Sequence, residues 1–132
     1  MLQENQMVNL AAARKAARKA IESTYEGVCS IVEYQAVTDT ETKVTRHEEV
    51  TVLDNQPCKL SFEKLNAVVQ TDTAAAISQG TKLFISPETT IKGGSKIVVT
   101  QNGVTGEYSA SGEPAVYDSH KEIMLEQFKG WA

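Results

Sequence analysis

The chain has 132 residues, which is long enough for one domain with its own core, and its 41% hydrophobic and 23% charged residues are typical of a folded globular protein. Its formal net charge of −4 disfavours a dedicated nucleic-acid-binding protein, because such proteins usually carry a basic excess that neutralises phosphates. The apolar runs fall well short of the roughly 20 residues that a membrane helix needs, and residues 1–5 lack the pattern of a secretory signal. We therefore expect a soluble protein that is synthesised in the cytoplasm.

The first predicted element is a helix over residues 9–25, preceded by a polar N-terminal arm over residues 1–8. Asn9 is a suitable N-cap, and the following residues are rich in Ala, Arg, Lys and Glu, which have good helix propensity. The apolar side chains recur at three- and four-residue spacing, which predicts a stripe facing the core. This stripe consists of Leu10, Ala13, Ala17, Ile21 and Tyr25.

Four cations, the "helix cations", occupy the neighbouring surface of this helix: Arg14, Lys15, Arg18 and Lys19. They are candidate contacts for an acidic partner or for a phosphate backbone. Four phosphate contacts would give only weak, non-specific DNA binding to one copy, although repetition in an assembly would strengthen it. An ordinary solvated helix face explains the same pattern, and the sequence leaves both interpretations open.

Residues 27–132 are predicted to form a β-rich domain. Alternating runs around Val28–Val37 and Val44–Val52 favour a long hairpin, with a loop at 38–43 between them. We expect a break at 54–57, because Asp, Asn and Pro disfavour strands, and then another strand around 58–63. Residues 65–76 are ambiguous.

Further strands are predicted at 81–85, 96–100, 104–108 and 120–128. Asn102 and Gly103 tolerate positive φ and therefore predict a two-residue hairpin turn. Short strands at about ten-residue spacing indicate a mainly β fold, a small barrel or sandwich with one N-terminal α-helix. Cys29 and Cys58 lack the spacing of a redox or zinc pair, so we expect buried thiols.

Catalysis has little support in the sequence, which contains only His47 and His120 and no recognisable nucleophile motif. The Gly-Gly-Ser-Lys stretch at 93–96 lacks the spacing of a phosphate-binding loop and predicts a turn. Asp118, His120 and Glu122 would share one side of a strand, as metal ligands could, but an exposed strand face produces the same pattern. We expect no enzyme activity, cofactor or metal.

The C-terminal part contains LFISP at 83–87, IKGGSKIVV at 91–99, GEYSASGEPAVY at 106–117, SHKEI at 119–123 and FKGWA at 128–132. Together these segments resemble the small β modules of head-closure proteins of tailed phages and prophages, which join the head to the tail. The resemblance covers residues 83–132 and includes no catalytic motif.

This resemblance implies a non-enzymatic virion protein, assembled in the bacterial cytoplasm into a ring of copies around the DNA channel. It implies portal or adaptor proteins and tail proteins as partners, with non-specific DNA contact in the channel and no membrane. Extended loops often mediate docking in such proteins, and here they are 38–43, with Thr40 and Lys43, and 70–79.

The last candidate contacts are Phe128 and Trp131, because aromatic anchors near a chain end are useful at interfaces. Closure of the domain's own core explains them equally well. A different class of function, a module of the OB type that binds single-stranded nucleic acid, would use a basic groove with exposed aromatic rings. The 6% aromatic content and the acidic balance disfavour that alternative.

Overall fold

The computed structural model describes residues 2–64 and 79–131. In these residues the chain forms a helix, α1 (Leu2–Glu22), followed by seven strands. The strands are β1 (Gly27–Thr38), β2 (Thr45–Lys64), β3 (Gln79–Ile85), β4 (Lys96–Gln101), β5 (Val104–Ala110), β6 (Ala115–Val116) and β7 (Lys121–Gln127).

The strands belong to one antiparallel sheet with the order β3-β2-β1-β4-β5-β7-β6, and a further pairing joins β3 to β7. This pairing runs from Thr81 opposite Leu125 to Ile85 opposite Lys121 and closes the sheet into a ring. The edge of β7 that faces away from β3 is shared by two strands: β6 pairs with the start of β7, and β5 pairs with the end of β7. The predicted mainly β fold with one helix is confirmed.

The core lies inside this closed sheet. Every second residue of the paired strands points inward, as the pleat of a strand requires, and branched aliphatic side chains dominate. The innermost side chains have a relative exposure below 2%: Ile31, Leu83, Ile85, Ile97, Ile123, Val99, Cys29 and Cys58.

Both predicted hairpins are confirmed. Strand β1 pairs along its whole length with the first part of β2, from Gly27 opposite Cys58 to Thr38 opposite Thr45. Asn102 and Gly103 join β4 to β5 with φ angles of 54° and 76°. Gly94 also has a positive φ, in the turn at residues 92–95 that precedes β4.

The predicted strand break at 54–57 is wrong, because β2 continues from Thr45 to Lys64. The register of β1 against β2 shifts between Cys29 and Ile31, where β2 contains an extra residue. Asn55 takes a left-handed φ of 52° at this bulge, which Asn accepts more easily than most residues. Residues 54–57 therefore do interrupt regular strand pairing, but as a bulge within β2 and not as a break between strands.

The predicted N-terminal arm is also wrong, since α1 begins at Leu2 and ends at Glu22. Residues 2–7 are mostly good helix formers, so nothing stops the helix before Asn9. At the other end, the hydroxyls of Ser23 and Thr24 donate to carbonyls of the last turn.

The prediction that α1 packs its apolar stripe on the core is wrong for most of its length. Leu10 is 51% exposed, and from Asn9 to Ala20 every side chain except that of Arg18 is exposed. Ile21 and Tyr25 are partly buried where the helix meets the body. The buried core consists of strand residues packed inside the closed sheet, and most of the helix lies outside it.

The two cysteines are free and buried, as predicted. They lie diagonally across the β1–β2 pair, with Cys58 opposite Gly27 and Cys29 opposite Gln56. A hydrogen bond to Cys58, together with burial, raises the pKa of the Cys29 thiol. The ambiguous residues 65–76 and nearly all of the candidate loop 70–79 lie outside the described residues. No helix among the described residues is long and apolar enough to span a membrane.

Candidate docking surfaces

The far end of the β1–β2 hairpin forms a two-stranded projection, here called the ribbon, which comprises residues 33–50. Strand β4 pairs with β1 only as far as Val32, and β3 pairs with β2 only from Cys58 onward. Within the described residues both outer edges of the ribbon therefore lack a neighbouring strand. Residues 38–49 are all exposed, so the ribbon presents side chains and backbone groups to any partner.

The tip of the ribbon contains two predicted contact residues, Thr40 and Lys43, and both are exposed. Asp39 orders this tip, because its Oδ1 accepts the backbone N–H of Glu41 at 2.9 Å. That hydrogen bond lowers the pKa of Asp39. Lys43 takes a left-handed φ of 58° to close the turn.

At the base of the ribbon lies a group of rings and charges, here called the Trp131 cluster, made of Tyr34, His47, Glu49, Lys96, Phe128 and Trp131. The Trp131 ring stacks on Tyr34 with centroids 5.0 Å apart and planes 11° apart, and Tyr34 stacks in turn on His47 at 5.4 Å. Phe128 meets Trp131 edge to face at 5.0 Å. These contacts attach the C-terminal segment to the ribbon.

Lys96 is the polar centre of the Trp131 cluster, and its side chain is only 9% exposed. Its Nζ lies 2.8 Å from Glu49 Oε1 and 3.2 Å from Glu107 Oε2. It also lies 5.3 Å from the centre of the Phe128 ring, a cation–π distance. The hydrogen bond to Glu49 raises the pKa of Lys96 and lowers that of Glu49, so both remain charged near neutral pH.

Phe128 and Trp131 are therefore half-buried and already have partners within the chain. Trp131 Nε1 donates to Glu49 Oε1 at 3.0 Å, which leaves little of its polar surface for another molecule. The faces of Tyr34 and Trp131 cover each other, whereas a single-stranded nucleic acid would need free faces for its bases. This geometry favours intramolecular closure over both the partner anchor and the nucleic-acid groove.

The helix cations divide into two pairs. Arg14 lies 3.3 Å from Asp118, and Arg18 binds Glu22 at 2.7 Å and both carboxylate oxygens of Glu88. The pairs with Asp118 and Glu88 connect α1 to the body, and the hydrogen bonds from Arg18 lower the pKa of Glu88.

The other pair is Lys15 and Lys19, which are exposed and have no carboxylate partner in the described part of the chain. They are four residues apart and so lie on one side of the helix. Of the four predicted cation contacts, these two are the ones without an ion-pair partner among residues 2–64 and 79–131.

The stretch considered for metal binding is divided between two ion-pair networks. His120 Nε2 lies 2.7 Å from Glu122 Oε2, and Lys82 lies 3.1 Å from the other oxygen of that carboxylate. Asp118 turns instead to Arg14. Across residues 2–64 and 79–131 no group of three or more His, Cys, Asp or Glu side chains is arranged to hold a metal ion.

The structure thus separates the predicted contact residues into three places: α1, the ribbon tip and the Trp131 cluster. Sequence reasoning missed Lys96, Glu49, Tyr34 and His47. Alternation in β1 and β2 places Tyr34 beside Glu49, and this much was readable from the hairpin. Nothing in the local sequence connects them to Lys96 or to the C-terminal segment.

No family model and no curated protein sequence matches the chain. Among solved structures, protein xkdH of the phage-like element PBSX from Bacillus subtilis is similar with a TM-score of 0.43 and 12% identity, over 76% of this chain and 91% of that chain. A likeness at this level carries no argument for this chain, so its candidate surfaces stand on their own geometry.

Proposed function

We propose that this chain is a structural head–tail connector of a tailed phage or phage-derived particle, which docks between the portal or adaptor side and the tail without catalysing a reaction. The observation that carries the proposal is the exposure of two elements, α1 over most of residues 9–20 and the ribbon over residues 38–49, on a small body whose sheet is otherwise closed.

The energetics of these elements favour a protein that works by docking. A two-stranded ribbon is marginally stable in water, and most helical stability in proteins comes from packing of an apolar face. Here α1 leaves Leu10 51% exposed, and the ribbon leaves Val44 59% exposed at its tip. Elements of this kind gain stability when partners cover them, as the layers of a connector would.

The resemblance of residues 83–132 to head-closure proteins supports the same proposal from the sequence. In the structure these residues form part of β3, all of β4 to β7, and the C-terminal segment with Phe128 and Trp131. This part supplies most of the closed body, while α1 and the ribbon extend from it. In a ring of copies around the DNA channel, Lys15 and Lys19 would repeat in each copy, and multivalency would strengthen contacts too weak to matter in one copy.

Electron microscopy of particles from producing cells tests the proposal. We expect cells that lack the gene to release filled or leaking heads without attached tails, and complementation with the wild-type gene to restore tailed particles. Complementation with a chain carrying exposed control substitutions, Glu113→Lys and Glu126→Lys, should restore them equally. Normal numbers of tailed, DNA-filled particles in the absence of the gene would refute the connector role.

A further inference from the structure

The ribbon and α1 have opposite charge. The ribbon contains five carboxylates, Glu33, Asp39, Glu41, Glu48 and Glu49, against two cations, Lys43 and Arg46. On α1 the exposed side chains of Lys15 and Lys19 have no carboxylate partner among the described residues.

Within one chain the two surfaces do not neutralise each other. The ion pairs that link α1 to the body go to Glu88 and Asp118, outside the ribbon. On the ribbon, Glu49 is held by Lys96, while the exposed side chains of Glu41 and Glu48 have no described partner. Each surface therefore retains unpaired charge opposite in sign to the net charge of the other.

The two elements are also of comparable length, and each exposes apolar side chains next to charged ones. A helix of 21 residues is about 30 Å long, and the six residue pairs of the ribbon span about 20 Å. The helix presents an uncovered apolar stripe beside its cations, and the ribbon presents Val44 beside its carboxylates. Contact between them would cover apolar surface and pair charges at the same time.

We propose that α1 of one copy docks on the ribbon of a second copy of this chain. Because the two surfaces are different, the contact is heterologous and continues from copy to copy, closing into a ring where the rotation permits. The inference rests on the proposed connector function and names the contact that would join neighbouring copies. Exposed charges give such a contact specificity and salt dependence.

The test is a charge exchange between two variants, measured by sedimentation equilibrium at protein concentrations up to about 1 mM. The helix variant carries Lys15→Glu and Lys19→Glu, and the ribbon variant carries Glu41→Lys and Glu48→Lys. We expect each variant alone to associate at least about tenfold more weakly than the wild type. An equal mixture should return to within about threefold of the wild type, because each helix then meets a ribbon of opposite charge.

Matched controls separate this contact from a general effect of net charge. Glu113→Lys with Glu126→Lys changes the net charge as the ribbon variant does, and Lys92→Glu with Lys129→Glu changes it as the helix variant does; all four side chains are exposed and lie outside both surfaces. We expect these controls to associate within about threefold of the wild type. Higher salt should weaken wild-type association and leave folding, followed by circular dichroism, unchanged.

Several results would overturn the inference: no wild-type association at about 1 mM in low salt, weaker association in only one of the two variants, or failure of the mixture to recover. Duplex DNA binding that is lost in the helix variant, with no change of self-association, would assign α1 to DNA instead. The particle experiment is independent of all these measurements. If deletion of the gene gives tailless particles but the helix and ribbon do not pair, the connector role is retained and this contact is rejected. If the helix and ribbon pair but deletion leaves particles normal, the contact is retained and the connector role is rejected.

Discussion

Replacing Trp131 with alanine tests whether this side chain closes the chain's own fold or serves only as an anchor for a partner. The substitution removes a stacked contact with Tyr34, an edge-to-face contact with Phe128 and a hydrogen bond to Glu49. Aromatic pairs contribute about 0.5–1.5 kcal/mol each beyond their buried area, and a hydrogen bond contributes about 1 kcal/mol. Because the ring is only half-buried and Glu49 is 47% exposed, we expect a loss of about 2–3 kcal/mol in the free energy of unfolding.

For a domain of this size that loss corresponds to a decrease in Tm of about 10 °C, measured by calorimetry or circular dichroism. Phe62→Ala is the control, since Phe62 is 56% exposed, and it should change stability by less than about 0.5 kcal/mol. Trp131→Phe should give an intermediate loss, because it keeps a ring and removes the Nε1 donor. A Trp131→Ala protein as stable as the wild type would refute intramolecular closure and restore Trp131 as a partner anchor.

Three further predictions follow from the ion pairs and backbone angles. Replacing all four helix cations with Gln should lower the free energy of unfolding by less than about 1 kcal/mol, because Asp118 and Glu88 are exposed and Lys15 and Lys19 have no described carboxylate partner; a larger loss in urea titrations would contradict this. The hydrogen bond with His120 lowers the pKa of Glu122, so its contribution is present above the unfolded pKa of about 4.3 and is lost as the pH falls through the folded pKa. Glu122→Gln should therefore cost about 1 kcal/mol at pH 7 in denaturant titrations, with a difference from the wild type that shrinks below about pH 4. Gly130→Ala should destabilise the chain by about 1 kcal/mol in thermal melts, because φ is 110° there and no clash contributes; an unchanged Tm would show that the C-terminal turn does not require this angle.

Some features of this protein were set by local sequence. Period-two alternation identified β1 and the first part of β2, because a half-buried strand exposes every second side chain whatever its neighbours are. Asn102 and Gly103 specified a hairpin turn, since few residues other than Asn and Gly accept positive φ at two consecutive positions. The thiols of Cys29 and Cys58 were predicted to be buried from residue type alone.

Other features were decided only by the tertiary structure. The Asp-Asn-Gln-Pro stretch at 54–57 reads locally as a break, yet pairing with β1 holds it in the sheet as a bulge. The apolar stripe of α1 reads as a core face, but the sheet closes through the β3–β7 pairing and buries its own side chains, which leaves Leu10 exposed. Lys96 and Trp131 both contact Glu49, although they are far from it in the sequence. These contacts depend on the order of the strands in the sheet, which no local sequence pattern specifies. Periodicity records which side of an element is apolar, whereas the packing of the whole chain determines what, if anything, covers it.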